Sequence, residues 1–204
     1  MQELQINLPT NLANMTLPEP ELVTYYRNME NRVFWIDFDI DSSLLEISKA
    51  ILYFNYLDKD IEIKNRRKII INVFSYGGEL DACYNILSIA ELSKTPIVTI
   101  NMGVAMSAGL LILLCGHERY CINRSQAMIH SGSAGLQGTY EQIEESQKSY
   151  KKAVDEMRNY ILDRTKIDAK LFNKNKSKDW YLSSIEQVEL GIVQKVITDI
   201  DEIV

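Results

Sequence analysis

The stretch GVAMSAGLLILLCG, residues 103–116, decides how this chain folds. It holds no charged residue and one serine, Ser107, and the uncharged run reaches back to Pro96. A run of that length approaches the roughly 20 residues a bilayer-spanning helix needs. Its texture argues otherwise. PIVTI, residues 96–100, is β-branched and reads as a buried strand, and Gly103 punctuates the run before AMSAGLLILL. The reading is a strand, a glycine turn and a short buried helix opening near Ser107, with no membrane span.

Working outward, strands and helices alternate. RVFWIDF (32–38) is a strand, and SSLLEISKAILYFNYLD (42–58) is a helix with Ser42 or Ser43 as N-cap. RKIIINVFSYGG (67–78) is a buried strand ending in a double glycine. ELDACYNILSIAELSK (79–94) is a helix, and TPIVTINMG (95–103) is the next strand. Such alternation calls for parallel pairing with right-handed crossovers. Beyond residue 116, RYCIN (119–123) and AMIH (127–130) add two short strands.

The texture then changes. Gly132, Gly135 and Gly138 mark a loop, and residues 139–166 form a long polar helix with Thr139 and Gln142 as a capping box. Its apolar stripe (Ile143, Tyr150, Val154, Met157, Ile161) is narrow, which predicts a helix that leaves the core and finds a partner. SSIEQVELG (183–191) is a capped helix stopped by Gly191, and IVQKVI (192–197) is the closing strand.

Composition bounds the function. The 204 residues are 46% hydrophobic and 25% charged, enough for one sizeable core plus an appendage. The net charge is -6 and no Lys/Arg-rich run stands out, so no nucleic-acid partner is expected. Cys83, Cys115 and Cys121 are an odd count without metal-ligand spacing, which predicts buried thiols in a reducing compartment and no metal. Residues 1–21 lack the basic and apolar regions of a signal peptide. The expected organisation is an N-terminal arm, 1–24, and a single domain, 25–204, in the cytoplasm.

Four features are candidates for chemistry. Each alone also has a purely structural reading: a packed serine, a strand-end histidine, an acid in a turn before the Ser183 cap, and a plain strand-to-helix turn. Ser107 opens a helix directly after a strand, where unpaired backbone N–H groups suit an oxyanion, and Ala105, Ala108 and Gly109 leave it uncrowded. By itself a serine in small-residue helix packing is the favoured explanation of the pattern. Of the two histidines, His117 sits in a charged turn, whereas His130 ends the apolar strand AMIH before glycine-rich sequence. Asp179, in SKDWYLSS, lies beside bulky aromatics, unlike the acids of the polar helix, and a base histidine needs such a carboxylate. Gly77–Gly78 permits a strained turn whose N–H can face an oxyanion.

Together these segments resemble the caseinolytic protease proteolytic subunit (ClpP) family. GVAMSAG resembles its nucleophile segment, AMIH its histidine segment, and KDWYLSSIEQVELGIVQKVI its aspartate segment and closing helix and strand. SYGG stands where the family has Ser-Pro-Gly-Gly, and the likeness runs from about Tyr25 to Ile197. The resemblance implies an α/β fold, a spiral of βαβ units with a protruding helical handle at about 139–166. It implies Ser107 as nucleophile, His130 as general base, Asp179 as its orienting acid, and the N–H groups of Gly78 and Ala108 as an oxyanion hole. The order Ser, His, Asp differs from the Ser, Asp, His order of α/β-hydrolases.

The same resemblance implies a serine endopeptidase working inside a homo-oligomeric chamber, two heptameric rings stacked as a tetradecamer. Peptides and proteins are its substrates, a separate AAA+ ATPase unfoldase its partner, and no cofactor is needed. Departures mark a divergent member. Tyr76 replaces a proline, HSGSAG replaces His-Gln-Pro and glycines, Ser177–Lys178 replaces an acid–arginine pair, and Asn72 replaces an aromatic of the chaperone-docking pocket. The competing readings are a related phage-type maturation protease and a catalytically silent ring-building subunit.

Overall fold

The computed structural model describes residues 19–203. The chain divides into two compact units, Met1–Asn31 and Arg32–Val204. In the first, the described part is helix α1 (Pro20–Glu30), which has a proline at its start and no buried residue. It runs across the expected boundary at residue 24, and most of the expected arm lies outside the described residues.

The second unit is a seven-stranded sheet with helices packed on it. Strands β1 (Val33–Ile36), β2 (Ile69–Ser75), β3 (Ile97–Met106), β4 (Glu118–Ile122) and β7 (Lys195–Ile197) lie side by side in the order β1-β2-β3-β4-β7, all parallel. β2 and β3 read as near-continuous apolar runs, and Ile69, Ile71, Val73 and Ile97 are wholly inaccessible, while Phe74 on the other face of β2 is exposed. Parallel neighbours need crossovers, supplied by α2 (Leu45–Leu57) and α3 (Leu80–Leu92).

Two local readings are corrected here. Ser42 and Ser43 do not cap the helix before α2. Asp41 does, its carboxylate accepting the Ser43 N–H at 2.7 Å at the head of a 3-10 turn that leads into α2. Gly103 is not a turn either. β3 passes through it to Met106, and between the pairs Val73–Asn101 and Ser75–Ala105 the register slips, making a bulge. With φ of 140° and no side chain against the Phe74 ring, Gly103 lets the strand bend without breaking.

That bend forks β3. Its first half pairs with β4, and its last three residues, Val104–Met106, pair instead with β5 (Gln126–Ile129). β6 (Trp180–Ser183) adds antiparallel to β5. Helix α4 (Ala108–Cys115) follows β3 at once, and all eight of its residues are buried. No helix among the described residues is long and apolar enough to cross a membrane.

Helix α5 (Tyr140–Arg164) carries the capping box of Thr139 and Gln142. Of its apolar stripe only Met157 and Ile161 are buried, whereas residues 140–149 are exposed. It therefore leaves the core as its narrow stripe predicts. Helix α6 (Ala169–Asn175), β6 and helix α7 (Ser184–Glu189) complete the unit.

Several buried polar groups are paired, although the Tyr150 and Tyr160 hydroxyls are not. Arg32 grips Asp58 through two hydrogen bonds of 2.6 and 2.8 Å, and Thr95 donates a third at 3.0 Å. That guanidinium holds the Asp58 carboxyl below the usual carboxylate range. Asn101 on β3 donates to Gln187 of α7 at 3.0 Å and accepts from the Gly103 N–H at 3.1 Å, fixing the bulge.

Candidate active site

Ser107 stands between the end of β3 and the start of α4 with φ of 53° and ψ of -123°. A non-glycine residue in that region is strained, and such strain gathers at nucleophile corners. The surroundings hold it there. The Ser107 N–H donates to the Met128 carbonyl at 3.0 Å, and the Ser107 carbonyl accepts from Leu110 at 3.0 Å. Room for the hydroxyl comes from Gly77, where a side chain would meet the Ser107 Cβ at 2.7 Å. Gly109 does not supply that room. Its bare Cα lets α4 sit against the Ser75 carbonyl, 2.8 Å from where a Cβ would be.

His130 follows β5 directly. Because β5 is parallel to the end of β3, with Met106 opposite Met128, the two chain ends bring Ser107 and His130 together. The His130 Nε2 lies 2.7 Å from the Ser107 Oγ. Asp179 precedes β6, whose register sets Ile129 opposite Trp180, so Asp179 comes up beside His130. Its Oδ1 is 3.8 Å from His130 Nδ1, longer than a hydrogen bond. Its side chain is 56% exposed, against 21% for His130.

Gly78 reaches the site through a parallel bridge to Ile40, in which Ile40 donates to the Gly77 carbonyl and Glu79 donates to the Ile40 carbonyl. A parallel bridge of this kind turns the central residue's own N–H away from the ladder. A Cβ on Gly78 would lie 2.1 Å from the Ile40 oxygen, so only glycine fits. The Ala108 N–H is the first of α4 and has no intrahelical acceptor. All five site residues named from the sequence therefore lie around one corner of the sheet.

His117 is elsewhere. Its ring nitrogen Nδ1 accepts from the Ile97 N–H at 3.0 Å at the start of β3. Cys83, Cys115 and Cys121 are free and buried, and burial pushes the Cys115 thiol up to about 12. Among the described residues no group of three or more His, Cys, Asp or Glu could hold a metal ion. Asn72, expected in a docking pocket, is buried on β2 between Trp35 and Ile100. Half-buried Ile70, Met102 and Tyr120 lie nearby against Val98 and Ile100.

Two openings adjoin the serine–histidine pair. A groove of about 720 Å³ runs from His130 and Asp179 past Arg158 to Phe172. A smaller cavity of about 230 Å³ holds Ser107 and His130 at its edge and is walled by Leu80, Tyr150, Val154 and Met157. Sequence reasoning assigned the last three only to a helix stripe. A stripe that faces a cavity has the same period as one that faces the core.

The fold and site define an α/β protein with a strained serine at a strand–helix corner, hydrogen-bonded to a histidine with a carboxylate beyond it. The chain belongs to the Clp protease family, which matches it over residues 22–200. It is 26% identical over 179 residues to the ATP-dependent Clp protease proteolytic subunit 2 of Treponema pallidum, covering 87% of each chain. It is 28% identical over 193 residues to proteolytic subunit 1 of Bacillus cereus, covering 93% of this chain and 97% of that one. The Treponema denticola proteolytic subunit 2 shares 31% over 132 residues, 64% of this chain and 66% of that one.

Proposed function

We propose that this chain is a serine endopeptidase in which Ser107 is the nucleophile and His130 its general base. The observation that carries the reading is the 2.7 Å contact from His130 Nε2 to the Ser107 Oγ at a strained corner. In the neutral tautomer with the proton on Nδ1, Nε2 takes the hydroxyl proton as Oγ attacks the scissile carbonyl. The oxygen that becomes negative is met by the N–H groups of Gly78 and Ala108, the latter at the positive end of α4. The imidazolium then protonates the leaving amine, and water repeats the sequence on the acyl-enzyme. Asp179 is the orienting acid. It closes by about 1 Å to bond Nδ1–H, a movement its exposed position allows.

The working form is an oligomer, two seven-membered rings stacked through the exposed half of α5, enclosing the serine sites. Such a chamber admits peptides and excludes folded proteins. The sequence holds no Gly-x-x-x-x-Gly-Lys-Ser/Thr loop, so unfolding falls to a separate AAA+ ATPase in the same cytoplasmic compartment. Its docking loop would meet the apolar patch around Ile70, Met102 and Tyr120.

The test is a fluorophosphonate probe, which should acylate Ser107 in the wild type and not in Ser107→Ala. Equal labelling of the two would refute the assignment. Degradation of a tagged folded substrate should require the ATPase and ATP. Efficient degradation by this chain alone would refute the chamber.

A further inference from the structure

The 230 Å³ cavity beside Ser107 holds a group that the proposed chemistry does not use. The phenolic oxygen of Tyr150 is buried and has no hydrogen-bond partner. Tyr84, packed against the same helix, shows the ordinary arrangement, its hydroxyl donating to the Ala153 carbonyl at 2.6 Å. Tyr150 instead directs its hydroxyl at Gly132, two residues beyond His130. A Cβ built on Gly132 would lie 2.5 Å from that oxygen, so the hydroxyl occupies the space a side chain there would fill. Gly132 and Tyr150 both line the cavity.

The rest of the wall defines what could enter. Leu80, Val154 and Met157 are apolar, and no Asp, Glu, Lys or Arg among the described residues lines the cavity. A charged side chain would enter without a counter-ion and lose its hydration. An apolar stem would be gripped by Leu80, Val154 and Met157. The Tyr150 oxygen is covered at rest, and a small rotation of its side chain would let a neutral tip able to hydrogen-bond give that hydroxyl the partner it lacks.

We propose that this cavity receives the side chain of the residue whose carbonyl Ser107 attacks, and that Tyr150 selects there for uncharged side chains of medium length with a hydrogen-bonding tip, glutamine above all. The proposal rests on the peptidase reading. It adds the substrate class and makes Tyr150 a specificity-determining residue. With a phenyl ring in its place the cavity loses this unpartnered buried hydroxyl and shifts towards leucine or methionine, with Tyr76, Ser131 and Ser133 the other hydroxyl-bearing residues of its lining besides Ser107.

The experiment compares kcat/KM of the assembled protein on peptides that differ only at that position, carrying Gln, Leu, Asp or Lys, for the wild type and Tyr150→Phe. Wild-type protein should cleave after Gln and Leu well ahead of Asp and Lys. Tyr150→Phe should lower the Gln-to-Leu ratio by about tenfold, the worth of one neutral hydrogen bond. Using a ratio cancels any general change in activity, and sedimentation of the variant confirms its assembly. An unchanged ratio, or a wild type that prefers Asp or Lys, overturns the pocket assignment while leaving the peptidase reading standing. Failure of the fluorophosphonate probe to label wild-type Ser107, with no peptide cleaved, overturns both.

Discussion

Ile129 faces Trp180 across the antiparallel β5–β6 ladder, and this one register carries His130 and Asp179 to within 3.8 Å of each other. The pairing sets the acid beside the base without completing a hydrogen bond. Asp179 is half exposed, directly before β6 and after a turn closed by the Lys178 N–H on the Asn175 carbonyl. The serine–histidine contact is held by β3 and β5, deep in the sheet, whereas the histidine–aspartate contact hangs on an edge strand.

That difference predicts unequal costs. His130→Ala should lower the rate of peptide cleavage by on the order of 10⁴-fold or more, whereas Asp179→Asn should cost at least tenfold less than that. Single-turnover acylation rates of the two variants check the order. Equal losses would mean that Asp179 is bonded to His130 throughout the working cycle.

Gly78→Ala should be among the most damaging substitutions outside the serine and histidine. Its Cβ would fall 2.1 Å from the Ile40 oxygen, at φ of 148°. The backbone must move, taking the Gly78 N–H with it. A loss of about 10²–10³ in kcat is expected, the usual cost of one oxyanion donor. Thermal unfolding and acylation rates, measured on one preparation, separate lost stability from lost donor geometry.

The Arg32–Asp58 pair should matter to folding and not to cleavage chemistry. Both side chains are buried, so Asp58→Ala leaves a charged guanidinium with one remaining acceptor among the described residues, the Arg67 carbonyl, and should cost about 3–5 kcal/mol. The sign of its pH dependence follows from the lowered Asp58 pKa. The stabilisation is fully present above the unfolded value near 3.9 and is lost as pH falls through the folded value below it. Urea unfolding from pH 7 to pH 3 should therefore show a steeper acid loss in the wild type than in the alanine variant.

Helix α5 should divide into two halves with different roles. Met157 is 3% exposed, and Met157→Ala should cost about 2–4 kcal/mol of stability. Ile143, on the exposed half, should contribute little to the stability of one chain. Ile143→Glu should instead yield single rings or smaller species by analytical ultracentrifugation, with the thermal midpoint of the subunit changed little. An unchanged double-ring mass would place the ring contact elsewhere.

Several elements were legible because their causes are local. The capping boxes Thr139–Gln142 and Ser183–Glu186 close within four residues, and both form. The apolar runs of β2 and β3 announce strands in the middle of the sheet. The N-cap at Asp41 was misread because its serine neighbours are equally good formers of the same bond. Helix α6 went unread because its seven residues carry too few periods to show a pattern.

The amino-acid sequence by itself determined the alternation of strand and helix and the parallel sheet that follows from it, because these rest on periodicity and on caps. Ser107, His130 and Asp179 were picked out by the family resemblance, and their catalytic roles belong to the proposed function. Only the tertiary structure decided that Gly103 bends β3 rather than ending it, because a bulge depends on Phe74 of the neighbouring strand. It alone decided the separations within the site, since Ser107 and His130 are 23 residues apart along the chain and meet through the β3–β5 register. It alone turned Tyr150 towards a cavity rather than a core. The side chain's spacing permits both, and what it meets is set by Gly132, on a different segment of the folded chain.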